Sequence, residues 1–81
     1  MAIANVRFSL DADYGSGTTN QARRALEEAG YVNVGTGSYT GEGEMHDLVR
    51  GIDDLTNVLI SRGSAPIDHL WIQIGRRPHD R

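Results

Sequence analysis

An 81-residue chain is a single domain, large enough for one sheet-and-helix core but small enough that its own burial leaves little surplus stability, so partner surfaces matter. Its net charge of -3 gives nothing global to pull it onto phosphate backbones, which weighs against a general DNA-binding protein and leaves only local basic patches to consider. With no Cys, disulfides, thiolate metal sites and a Cys nucleophile are also excluded, and no apolar run reaches the roughly 18 residues of a membrane span.

The N-terminus lacks the basic-then-apolar pattern of a secretion signal, so the expected setting is cytoplasmic, with no membrane partner. All eight basic residues are Arg. Bidentate phosphate or carboxylate contacts would explain that choice, but codon bias explains it more simply.

In chain order, Ala4, Val6, Phe8 and Leu10 alternate with Asn5, Arg7, Ser9 and Asp11, which predicts a strand buried on one face. A Gly-rich turn over Asp13–Gly17 follows, and Thr18 with Gln21 has the spacing of a capping box that opens a helix. Ala22, Ala25, Leu26 and Ala29 supply its apolar face, and Gly30 suits the left-handed residue that closes it. Tyr31–Thr40 is rich in β-branched and aromatic residues but interrupted by Gly35 and Gly37, so two short strands are expected there rather than one bulged strand.

Glu42 and Glu44 read as acids at the start of a second helix, whose stripe is Met45, Leu48, Val49, Ile52, Leu55 and Leu59. Gly51 inside it costs about 1 kcal/mol relative to Ala unless close packing against the sheet compensates. The last strand, Ile67–Gly75, puts Leu70, Ile72 and Ile74 on one face and Ile67, His69, Trp71 and Gln73 on the other. Residues 76–81 form an Arg-rich tail without periodicity, expected to be flexible, beyond a domain of residues 1–75.

This order predicts a ferredoxin-like α+β sandwich, β-α-β-(β)-α-β, an antiparallel sheet with two helices on one face. The first and last strands should then lie side by side at its centre, with Arg7, Ser9 and Asp11 sharing the open face with His69, Trp71 and Gln73. Trp71 and Ile67 on a bare face need cover. A homodimer interface supplies it at about 2 kcal/mol per buried aromatic, and a base-stacking platform for RNA is the functional alternative. On either reading the contact residues are Arg7, Trp71, Gln73, Arg76 and Arg77.

For chemistry, Asp11 and Asp13 are two residues apart at a strand end, a spacing that presents both carboxylates to one hard cation such as Mg2+ and so supports phosphodiester cleavage. Ordinary turn chemistry for Asp competes with that reading and is preferred. His69 shares the inferred face with Ser9 and Asp11, the three forming the candidate catalytic group with His69 as general acid or base, although a His that only packs at an interface is the preferred reading; they are not a hydrolase triad, since no nucleophile elbow is present. The segment from Asp11 fails as an EF-hand, because Ser16 and Ala22 stand where the turn Gly and the bidentate Glu belong. Gly15–Thr19 lacks the spacing and Lys of a P-loop.

Phe8-Ser9-Leu10-Asp11 at the first strand end, Gly30-Tyr31 closing the first helix, Gly37-Ser38-Tyr39 before the second and the alternating strand Asp68–Ile74 together resemble the small CRISPR-associated Cas2 proteins and the VapD-type ribonucleases. The resemblance implies a ferredoxin-like homodimer and, in the ribonuclease members, a metal or RNA phosphate near an Asp at the end of the first strand. The family's acid directly follows the strand aromatic, where this chain has Ser9; Asp11 would act from about 7 Å further along. The leading expectation is therefore a small dimeric metal-dependent endoribonuclease or nucleic-acid-associated factor, and the rival is a non-enzymatic homodimer that binds a protein partner through its open face and C-terminal tail.

Overall fold

The computed structural model describes residues 1–11, 17–62 and 66–76. Six elements follow one another: β1 (Ala2–Leu10), α1 (Gly17–Glu28), β2 (Val32–Gly35), β3 (Ser38–Gly43), α2 (Met45–Arg62) and β4 (Ile67–Arg76). The strands form one antiparallel sheet in the order β2-β3-β1-β4. The expected α+β class with two helices over an antiparallel sheet is what the chain adopts. Each β-α-β connection skips one strand position, so β3 lies between β1 and β2, and β1 lies between β3 and β4.

The alternation in β1 does what its period dictates: Ala2, Ala4, Val6 and Phe8 are buried, while Arg7 is exposed. Against that row pack Ala22 and Leu26 of α1 and Leu48, Leu55 and Leu59 of α2, so both helices cover the same side of the sheet. Tyr39 of β3 stacks on Phe8 with ring centroids 5.9 Å apart. Gly30, at φ 96°, ends α1 in the left-handed conformation its sequence position predicts.

Several expectations change. α1 starts at Gly17, so Thr18 lies inside the helix with its side chain buried rather than just before it. Two strands do replace Tyr31–Thr40, but β3 runs on to Gly43, so Glu42 belongs to the sheet and only Glu44 stands at the start of α2. In the predicted stripe of α2, Met45 and Val49 are exposed, because they lie outside the arc that Leu48, Ile52, Leu55 and Leu59 turn to the core.

Gly51 is compensated by packing, though not against the sheet: a Cβ there would meet Ala29 and the Tyr31 ring. β4 is adjacent to β1 as expected but stands at the sheet edge, since β3 occupies the other side of β1 at the centre. Arg76, expected in the tail, is the last residue of β4 and pairs with Ala2.

Candidate open sheet face

Backbone direction assigns the side chains. Phe8 donates its N–H to the Gly37 carbonyl, and the Thr40 hydroxyl donates to the Ala4 carbonyl, so even-numbered residues of β1 spend their main-chain groups on β3. Odd-numbered residues therefore bond to β4, and their side chains point away from the helices. Directly opposite one another on that face stand Asn5 and Gln73, Arg7 and Trp71, and Ser9 and His69. On the other side of β1, Thr40 faces Asn5 and Ser38 faces Arg7.

The Arg7 guanidinium carbon lies 5.8 Å from the centroid of the Trp71 ring. At an exposed site such a cation–π contact contributes about 0.5–1 kcal/mol and holds the guanidinium over the face of the indole. Val34 joins them in lining a depression of about 150 Å³ with Asn5 and Ser38. Val32, opposite Thr40, adds a second apolar group. Trp71 is 49% exposed, Val32 61% and Val34 62%, so the large apolar groups of this face are open to water in the isolated chain. The two valines were not singled out by sequence reasoning; the signal available was the alternation Val32-Asn33-Val34 in a strand too short to be decided by period.

Towards the end of β1 the ladder slips. Ser9 pairs with His69, but Leu10 pairs with Ile67, so Asp68 is the extra residue of a bulge. The slip puts Ile67 opposite core-facing Leu10 instead of continuing the row of His69, Trp71 and Gln73. The predicted grouping of Ile67 with Trp71 is corrected for that reason. His69 turns its Nδ1 to the Asp68 carboxylate at 3.4 Å, with both side chains about half exposed or more.

Asp11 sits in the turn after β1, exposed, and its amide donates to the Pro66 carbonyl at 2.8 Å. Ser9 and His69 are thus brought together as the sequence suggested, with Asp68 rather than Asp11 as the acid in contact with the imidazole. Asp13 and Arg77 lie outside the described residues. Among the described residues no three His, Asp or Glu side chains converge as a metal-ligand group.

A cavity of about 480 Å³ lies on the helix side, where Glu28, Ala29, Gly30, Asp47, Arg50 and Asp54 line the junction of α1 and α2. Arg50 there shares a 3.1 Å hydrogen bond with His46 one turn away. Open on one side and lined by charges that suit water, it offers no enclosed apolar surface for a ligand. No helix among the described residues is long and apolar enough to cross a membrane. No protein-family model, curated protein or solved structure matches the chain.

Proposed function

We propose that the chain is a ferredoxin-like, non-enzymatic homodimer that contacts a protein partner through its open sheet face and its Arg-rich C-terminal tail. The β-α-β-β-α-β order with both helices on one side supports the fold assignment. The observation that carries the function is Trp71, held under Arg7 and flanked by Val34, on the side of the sheet away from α1 and α2. Exposed aromatic and Arg groups ringed by small polar residues are the composition of contact surfaces, whereas isolated exposed apolar residues would need no explanation.

A second reading, metal-assisted RNA cleavage of the Cas2/VapD kind, is favoured by one observation, the Ser9–His69–Asp68 cluster one rung from the strand end that carries Asp11. In that reading Asp11, with Asp13, would hold Mg2+ and His69 would move a proton.

Sedimentation equilibrium combined with incubation on single- and double-stranded RNA, in Mg2+ or in EDTA, separates the two. The expected result is a dimer that leaves both RNAs intact. Mg2+-dependent cleavage abolished by Asp11→Ala would overturn the interaction reading and establish the second.

A further inference from the structure

We infer that two copies of this chain join through the outer edges of their β4 strands, antiparallel about a two-fold axis at Ile72, making one eight-stranded sheet. The inference rests on the homodimeric reading above and adds the surface and register that form it. Because His69, Trp71 and Gln73 exchange their main-chain bonds with Ser9, Arg7 and Asn5, the N–H and C=O groups of Leu70, Ile72 and Ile74 point outward from the sheet edge.

β4 is ten residues long, and from His69 to Gly75 it carries no Asp, Glu, Lys, Arg or Pro. Proteins that keep an edge strand solitary shorten it, charge it or break it with Pro. The opposite edge shows that treatment: β2 has four residues and a register shift. On β4, charge is confined to Asp68 near one end and Arg76 at the other.

That placement selects the register. With the axis at Ile72, Ile72 faces its own copy in a doubly bonded pair, Leu70 faces Ile74, and Asp68 faces Arg76 at both ends of the seam. Leu70, exposed in one chain, then gains an apolar neighbour on the helix side, and Trp71 lies against Gln73 of the other copy on the open side. Moving the axis to Trp71 sets Asp68 against Ile74, and moving it to Gln73 sets Arg76 against Leu70, so a charge meets an apolar group in each. The open faces of the two copies become one continuous surface, free for a partner.

Charge reversal tests the seam. Asp68→Arg and Arg76→Asp each create two like-charge pairs and are expected to weaken self-association about tenfold or more by sedimentation equilibrium. Each variant is checked for native circular dichroism. An equimolar mixture of the two variants restores opposite charges at both ends and should form a heterodimer of near wild-type affinity, as should the doubly reversed chain with itself. Single variants that associate like the wild type, or that weaken without rescue in the mixture, would overturn the β4 seam while leaving a homodimer standing. A wild-type chain that stays monomeric at every concentration would remove the homodimeric reading itself.

Discussion

Tyr31 shows how one residue ties three elements together. Its ring fits between two glycines, since a Cβ at Gly41 or at Gly51 would come within 2.9 Å of it. Its hydroxyl donates to the Leu48 carbonyl at 2.8 Å. Burial raises its pKa above the ordinary 10.0, because the phenolate would be stranded away from water.

A group whose folded pKa is raised contributes stability that is complete below the unfolded value and is lost as pH climbs through the folded one. Wild-type stability should therefore fall as pH rises above 10, and Tyr31→Phe should flatten that part of the profile. At neutral pH the same substitution should cost about 1 kcal/mol for the lost hydrogen bond, read by urea unfolding. None of this was legible beforehand. Tyr31 read as a β-forming residue, and its partner Leu48 is 17 positions away, beyond any local pattern.

At the scale of elements, propensity and packing compete in α2. Exchanging Gly51 for Ala would raise helix propensity by about 1 kcal/mol, but the new methyl would lie 2.5 Å from the Ala29 Cβ and 2.9 Å from the Tyr31 ring. Ala29 is held in the turn after α1 by its N–H donated to the Leu26 carbonyl, and the ring is locked between its neighbours, so neither can give way cheaply. Overpacking of this kind costs about 1–3 kcal/mol, and Gly51→Ala should lower the urea midpoint with little change in slope.

The period of α1 and the alternation of β1 were readable because each repeats over several residues and follows one geometric rule. The end of β3 and the bulge at Asp68 were not. Glu42 fits a strand edge and a helix start equally well, and a bulge depends on how β4 meets β1 rather than on the composition of either strand.

For the whole molecule, the decisive feature is that α1 and α2 cover the same side of the sheet, leaving Trp71, Val32 and Val34 on the other. If the native unit is a dimer, dissociation is part of unfolding, and the melting temperature must rise with protein concentration. For a domain of this size the rise should be about 4 °C per tenfold concentration, measured calorimetrically, and a concentration-independent transition would contradict the assembly.

Periods of 2 and 3.6 translate directly into faces, so the α+β class, the buried row of β1, the closure of α1 at Gly30 and the shared face of Arg7 and Ser9 with His69, Trp71 and Gln73 were legible in the residues alone, whereas Asn5 takes the place expected for Asp11. The edge position of β4 with its outward-pointing main-chain groups, the departure of Ile67 from the open face and Asp68 as the acid at His69 emerge only once the strands are paired. Those are properties of pairing, set by which strand occupies each side of β1, and no residue carries that information alone.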